Sequence, residues 1–445
     1  MHRRTFLKSS ASLGTAFLGA VPGLLQGAGK TAVNDRIQLA VVGVKGRGGS
    51  LLELFRAQDD VDVRYICDVD PNVLKRRVED TVKSTRHRPE AVADFRRVVA
   101  DKNIDAVVLG TPDHWHAIPA IAACQAEKDV YVEKPDGHNV LESLTMLVAQ
   151  RKYKRVVQLG TQARSAGFML EAMATIRKGY LGRVRYATAW ESQKQGALAS
   201  VPDQEPPAGV DYDTWLGPAP KRPFNRKRFH GNWRWFFDYG TGDLGNDGVH
   251  RLDYARWGLE TALEAQGEKL PVWPVAISSH GGKLYFDDIQ EWPDTLISTY
   301  DYGGQLLTYE MRIWTSYPYH GEGEGAAVFG DDGYVILSNN SAQFFDADNE
   351  PGPRFEGSKN LDYTKSHIEN FLECMRTRKK PNADLETVGH GSSMLCHLGN
   401  AAWRVGRTLK ADAKTGSFMD DADARRYLTR PVYRKPWVLP KIAEL

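Results

Sequence analysis

Between residues 36 and 160, short apolar runs alternate with longer amphipathic ones, and this rhythm restricts the fold more than any other feature of the chain. "IQLAVVG" reads as a buried strand closed by glycine, and "SLLELFRAQ" after it has helical period. "VDVRYICDVD" is a second strand, followed by a helix from Pro71 to about Thr85. "DAVVLGTP", the helix "HAIPAIAACQAEK", "DVYVEKP" and "RVVQLGTQ" continue the pattern. Strands without a polar face, joined by helices, imply a parallel sheet covered on both sides.

The turn after the first strand is "GVKGRGGS". A dinucleotide loop places glycines at the tight turn, where backbone approaches the pyrophosphate, and where helix meets strand. Gly43 and Gly48 fit the first and third places. Lys45 holds the second, and Gly46 beside it takes that role in a shifted loop, so Gly43, Lys45, Gly46, Arg47 and Gly48 form the expected phosphate cradle. Asp68 ends the second strand, twenty residues after Gly48. A carboxylate there accepts both ribose hydroxyls of NAD and repels the 2′-phosphate of NADP. A glycine-rich turn in some other α/β protein remains an alternative at this point.

The first residues, "MHRRTFLKSSASLGTAFLGA", have a different character. Arg3, Arg4 and Lys8 make a charged n-region and Ser9 to Leu25 a short apolar core, the pattern of an export signal. The arginine pair marks the twin-arginine route, although His2 stands where Ser or Thr is usual. An ordinary secretion signal is the alternative. No Ala-x-Ala cleavage site stands out, and no cysteine near its end offers a lipid attachment. The core is too short and glycine-rich to favour a permanent membrane span. The expected location is the periplasm or another exported compartment.

Composition excludes several classes. The 445 residues carry a formal charge of +2, and residues 1–30 hold four basic and no acidic groups, so the remainder is close to neutral. That argues against nucleic acid or a membrane surface as the main partner. Cys67, Cys124, Cys374 and Cys396 are far apart and read as buried thiols rather than a disulfide or zinc framework.

Beyond residue 160 the signals change. "RVRYATAWE" alternates like a strand, and "DTLISTYDYGGQLLTYEMRIW" and "AAVFGDDGYVILS" read as hairpins around Gly303-Gly304 and Asp332-Gly333. Gln193 to about Trp235 is proline-rich and irregular, and a loop this long is usually functional or disordered. Its Trp215, Trp233, Arg234, Trp235 and Phe236 favour function. "KSHIENFLECMRTR" and "GHGSSMLCHLGNAAWRVGRTL" are helices by period. The expected division is a signal segment 1–30, a nucleotide-binding domain 31–160 and a second α/β domain 161–445.

Three stretches together carry a family resemblance. "GTPDHWHAIPAIAACQAEKDVYVEKP" holds Thr111, Pro112 and His116, then Glu133, Lys134 and Pro135; "GTGDLGNDGVHRLD" follows later, with "DTWLGPAP" and "WRWFFDYGTGD" between. With these the chain resembles the Gfo/Idh/MocA oxidoreductases, in particular their exported bacterial branch. The resemblance implies an α/β fold: a Rossmann domain with a doubly wound parallel sheet, then a C-terminal α/β domain built on an open, mostly antiparallel sheet. It also implies NAD as cofactor, a carbohydrate substrate and a homo-oligomer, dimer or tetramer.

The resemblance assigns roles as well. Lys134 corresponds to the family lysine, which holds a substrate hydroxyl oxygen or shares its proton; a lysine paired with Glu133 is the structural alternative. His250 corresponds to the family acid/base histidine, a role imidazole suits near neutral pH. The family carboxylate four residues before it is Asn246 here, with Asp247 one step on. Asn can bind a sugar hydroxyl but cannot take a proton, which bears on simple dehydrogenase chemistry. Thr111, Pro112, His116 and Glu133 are expected around the cofactor. Gln162, Arg164, His230, Trp233 and Asp247 are expected to contact the sugar, with solvated surface as their alternative. His114 and His116 in "HWH" lack a clear third ligand, so no metal is expected. Three readings follow: an NAD-dependent oxidoreductase of a sugar, glycoside or polyol; a glycoside hydrolase using NAD catalytically; and a non-catalytic nucleotide-dependent sugar-binding protein.

Overall fold

The computed structural model describes residues 36–85, 87–357, 363–412 and 417–445. The leader lies outside the described residues. The first sheet comprises β1 (Ile37–Val42), β2 (Val61–Cys67), β3 (Glu90–Val92), β4 (Ala106–Leu109), β5 (Asp129–Val132) and β6 (Val157–Leu159). Its order is β3-β2-β1-β4-β5-β6 and every pair is parallel. The order reverses between β1 and β4, and a crevice at the carboxyl ends of strands is where such a sheet binds ligands. Helices α1 (Arg47–Arg56), α2 (Pro71–Thr85), α3 (Phe95–Ala100), α4 (Ala117–Gln125) and α5 (Val140–Tyr153) make the crossovers. The apolar strand residues separate into two cores, one for each face of the sheet.

The second sheet has nine strands: β7 (Val184–Ser192), β8 (Ala276–Gly282), β9 (Thr295–Asp301), β10 (Leu306–Arg312), β11 (Glu324–Gly330), β12 (Gly333–Ser338), β13 (Ser341–Asp346), β14 (Pro351–Glu356) and β15 (Leu409–Lys410). Only β7 and β10 pair in parallel. The expected hairpins are the pairs β9–β10 and β11–β12. Helices α6 (Gly167–Arg177), α7 (Tyr212–Leu216), α8 (Val249–Ala265), α9 (Thr364–Thr377), α10 (His390–Val405) and α11 (Ala422–Leu428) complete the chain. Ala187 and Ala189 of β7 join the core with α6 and α8, while Trp190 packs on the opposite face, as the period of a strand requires.

The later chain does not stay with the second sheet. Ile368, Phe371 and Leu372 of α9 pack with Leu51 and Phe55 of α1 on the first sheet. Trp437 stacks edge-on against Trp115 at 4.9 Å, and Tyr153 Oη donates to the Leu445 carbonyl at 3.0 Å. The two sheets therefore share helices and chain ends, and the cleft between them is bordered by both. Among the described residues, no helix is long and apolar enough to cross a membrane. All four cysteines are free and buried.

Candidate functional site

The glycine loop begins where β1 ends. Gly43 has φ +75°, and a Cβ there would stand 2.8 Å from the Thr111 nitrogen. A Cβ on Gly48 would fall 1.7 Å from the Gly43 carbonyl oxygen, so α1 can start this close to the strand only with glycine. Gly46 caps α1 at φ +52° and has open space where a side chain would be. Gly46, rather than position 45, leaves its backbone bare towards the cavity. Lys45 is exposed. Arg47 instead reaches down, donating from Nε to Glu133 Oε1 at 2.9 Å and from Nη2 to Thr364 Oγ1 at 3.0 Å.

Asp68 lines the same cavity as Gly43 and Gly46. It accepts the Val44 N–H at 2.9 Å and the Asp70 N–H at 3.0 Å, which fix its orientation. Burial pushes its carboxyl above the ordinary range, with those N–H groups opposing. Thr111, Pro112, His116, Glu133, Lys134 and Asn246 also line this cavity. His116 is buried and its ring nitrogens lie 2.6 Å from the Pro135 carbonyl and 2.8 Å from the Thr111 carbonyl. It braces the turns after β4 and β5 against each other. His114 is equally occupied, by the Tyr239 and Trp215 carbonyls at 3.3 and 3.0 Å. Both histidines of "HWH" thus face backbone oxygens. The Lys134–Pro135 peptide is cis.

The chemistry-bearing turn follows from the second motif. Leu244–Gly248 forms a single π-helical turn that runs into α8. Lys134 Nζ donates to the Asn246 carbonyl oxygen. Asn246 Nδ2 donates to Asp243 Oδ1 at 3.1 Å and to Asp247 Oδ2 at 2.9 Å. Gln193 Nε2 also donates to Asp247 Oδ2, at 3.1 Å. Carboxylate oxygens of Glu191, Asp243 and Asp247 all lie within 4.8 Å of one another. Burial and the neighbouring Asp247 push Asp243 up to about 6, and burial with Asp243 pushes Glu191 well up. Asp243 and Glu191 thus keep their protons to higher pH than ordinary carboxyl groups. His250 follows on α8, partly exposed, and neither it nor Asp247 is among the residues lining the cavity. Burial, then the charges of Lys134 and Arg251, hold its imidazole well below the ordinary range. It is neutral at neutral pH, with a lone pair available.

The expected sugar contacts divide. His230 and Trp233 line the cavity, as expected of them, and His230 has a further partner there. His230 Nε2 lies 3.3 Å from Asp70 Oδ2, and burial and Lys45 hold its imidazole at about 4. It therefore stands beside the glycine loop and the Asp68 strand end. Arg164 is not brought to the cleft: its guanidinium is buried and forked onto Asp253 at 2.8 and 3.0 Å, over the Trp257 ring at 4.3 Å. An arginine engaged on two sides in the interior acts as packing. Gln162 lies in the same turn and also does not line the cavity.

Several cavity residues carried no individual role in the sequence reading. Asp113 is buried on the cavity wall and accepts the Thr241 N–H at 3.1 Å and its hydroxyl at 2.6 Å. Thr214, Trp215 and Arg234 come from the long irregular segment, which closes one side of the cleft. Composition flagged that segment, but not where it folds. Asp243 sits inside the quoted motif, whereas Glu191 had no local signal at all.

Comparison with known proteins agrees with this architecture. Residues 37–161 match the oxidoreductase family's NAD-binding Rossmann fold, and residues 183–439 match its C-terminal alpha/beta domain. The chain belongs to the Gfo/Idh/MocA oxidoreductase family. Among Gfo/Idh/MocA relatives, a glycosyl hydrolase family 109 protein of Stenotrophomonas maltophilia is 27% identical over 221 residues, covering 48% of this chain and 47% of that protein. The chain spans about half the length of the curated relatives it matches. Among solved structures, the aldose-aldose oxidoreductase of Caulobacter crescentus, complexed with glycerol, superposes with a TM-score of 0.62 at 19% identity, over 84% of this chain and 99% of that one. The WlbA dehydrogenase of Bordetella pertussis, in complex with NADH and UDP-GlcNAcA, gives 0.61 at 17% identity, over 85% and 100%. These likenesses establish the fold.

The residues present fit the NAD of a Gfo/Idh/MocA Rossmann domain. Gly43 and Gly48 let α1 start close against the end of β1, Gly46 leaves open space there for a pyrophosphate, and Asp68 lines the same cavity.

Proposed function

We propose that this protein is an NAD-dependent oxidoreductase acting on a hydroxyl-bearing carbon of a sugar, glycoside or polyol, with its cofactor retained and recycled in the site. The observation that carries this reading is that Lys134 and Asn246 line the dinucleotide cavity, joined by a hydrogen bond, with His250 on the adjoining helix within reach of the Lys134 charge. NAD, when bound, accepts the hydride that leaves the carbon. The hydroxyl proton must leave in the same event, which calls for a positioned base and a donor for the developing alkoxide. His250, held neutral, takes that proton. Lys134 spends one N–H on Asn246 and keeps two for the substrate oxygen. Asn246 spends its amide N–H groups on Asp243 and Asp247, leaving Oδ1 to accept from a neighbouring sugar hydroxyl. The Asp68 carboxylate favours NAD over NADP.

A second reading has one observation in its favour, the similarity to a glycosyl hydrolase family 109 protein. In it the same groups oxidise a sugar carbon, the aglycone is eliminated, water adds and the hydride returns, with no net oxidant. One experiment separates the readings: incubation of the NAD-loaded protein with a panel of sugars and nitrophenyl glycosides. Net growth of reduced nicotinamide supports oxidoreduction. Aglycone release without such growth supports glycoside cleavage. Binding with neither overturns both in favour of a sensor.

Two further parts of the reading concern setting. The leader pattern favours export by the twin-arginine route, which lysine at Arg3 and Arg4 should block. An aromatic row, Tyr186, Phe329, Tyr334 and Phe345, stacks across the second sheet at 5.5, 5.6 and 4.7 Å and favours a contact with a second copy. A monomeric sedimentation coefficient would remove that part.

A further inference from the structure

A second cavity, of about 430 Å³, lies between the Phe237–Thr241 turn, α10 and the segment from α11 to Val432. Its size is that of a small-molecule site. None of the residues assigned to cofactor or sugar lines it. Its polar wall is cationic. Arg404, in the last turn of α10, lays its guanidinium over Phe237 at 4.0 Å and Tyr427 at 4.3 Å. Arg426 stands over the same Tyr427 ring at 4.8 Å and also lines the cavity. Arg430 gives Nη2 to the Asp238 carbonyl at 3.0 Å, lies 3.2 Å from His138 Nδ1, and has its Nε 4.0 Å from Glu142 Oε1.

Arg404 and Arg426 lack the carboxylates that would normally meet them, whereas Arg430 has Glu142 at 4.0 Å. Glu291 and Asp238 are the acidic groups whose fields reach Arg404. Asp238 is taken by Arg222 at 2.8 Å. Glu291 accepts the Phe237 N–H at 2.6 Å and lies 3.4 Å from Arg222. Neither Arg404 nor Arg426 has an ion pair or hydrogen bond among the described residues. A half-buried guanidinium held by rings alone keeps its fork of N–H donors unspent, and an oxyanion is the group that satisfies them two at a time. Trp292 and Phe237 give the body of such a ligand an apolar wall. Thr241 connects the two cavities: its carbonyl accepts from Asn400 at 2.7 Å on this side, and its hydroxyl donates to Asp113 on the other.

We infer that this cavity binds a small organic anion, its carboxylate or phosphate group between Arg404, Arg426 and Arg430 and its body against Trp292 and Phe237. The test is titration calorimetry on the NAD-saturated protein, with D-glucuronate, glucose 6-phosphate, inorganic phosphate and, as the neutral control, glucose, all at one ionic strength. The expected result is a single anion site per chain that glucose does not compete for. Preference for glucuronate identifies the natural group as a carboxylate, and preference for glucose 6-phosphate identifies a phosphate. Arg404→Gln and Arg426→Gln should each weaken anion binding about tenfold or more. Arg426 is exposed, so its replacement leaves the fold intact even if that of Arg404 does not. Absence of binding by all three anions, or unchanged binding in Arg426→Gln and a folded Arg404→Gln, overturns the inference. Binding of sugars at the cofactor cleft would survive both substitutions and is thereby distinguished.

Discussion

Lys134 is anchored on the main chain of Asn246, not on Glu133 beside it in sequence: Nζ donates to the Asn246 carbonyl, while Glu133 is held by Arg47 at 2.9 Å. The ammonium group at the end of the first sheet is thus aimed by the second domain. Lys134→Met keeps the stem and removes the donors. It should lower kcat/KM by about 10²–10³, the usual cost of losing a preorganised donor to a developing oxyanion. Bound NAD should stay at the wild-type level. Activity within a few-fold of wild type would show that the lysine only fastens the two domains together.

His250→Ala should reduce turnover by about 10²–10⁴ with the fold preserved. The pH profile carries the sign. A base whose pKa is depressed by burial and by Lys134 remains unprotonated, and competent, as pH falls below the ordinary histidine value of 6.5. The acid limb of kcat/KM should therefore lie well below that value. An acid limb centred near the ordinary value, persisting in His250→Ala, would assign the base elsewhere.

Asn246→Asp restores the charge expected at this position of the family motif, and should harm this protein. Asn246 Nδ2 separates two carboxylates, Asp243 and Asp247, by donating to both. An aspartate there replaces two donors by a like charge, at a cost of about 1–3 kcal/mol for the donors alone. The melting temperature should fall, and recover on acidification as the carboxyl groups share protons. A variant as stable as wild type at neutral pH would show that the cluster is already neutralised.

How much of this was legible in the sequence depended on how locally each contact is encoded. The first sheet was readable because strands covered on both faces are predominantly apolar, so β1, β2, β4 and β5 stand out as runs even with Gln38, Asp62 and Arg64 among them. The glycine loop was readable because steric exclusion acts between near neighbours, Gly43 and Gly48. The hairpins at Gly303-Gly304 and Asp332-Gly333 were readable from turn chemistry. The return of α9 to the first sheet was not: its apolar face has the right period but does not name its partner, Phe55, some 300 residues earlier. Glu191 was invisible for the same reason. On an alternating strand it is simply an inward polar position until Asp243 arrives from another element.

Arg164 illustrates the converse, a residue whose type suggested a sugar ligand and whose place is structural. With side-chain exposures of 5% for Arg164 and 1% for Asp253, the pair is interior. Arg164→Met strands a buried carboxylate, a loss of about 3–5 kcal/mol. The expected outcome is a lower unfolding midpoint with an unchanged KM for sugar in the fraction that folds. A raised KM with normal stability would return Arg164 to the substrate.

The most direct test of the account is the nucleotide content of the mature protein after exhaustive dialysis. Under the proposed export, an enzyme cannot rely on collecting free NAD at each turnover, so its cofactor has to be loaded beforehand and kept. Retention at nanomolar free nucleotide corresponds to about −12 kcal/mol of binding. Denaturing the purified protein and assaying the supernatant should release close to one NAD(H) per chain, and no NADP(H), as the Asp68 carboxylate requires. A protein that emerges empty, or that carries NADP, would contradict the account.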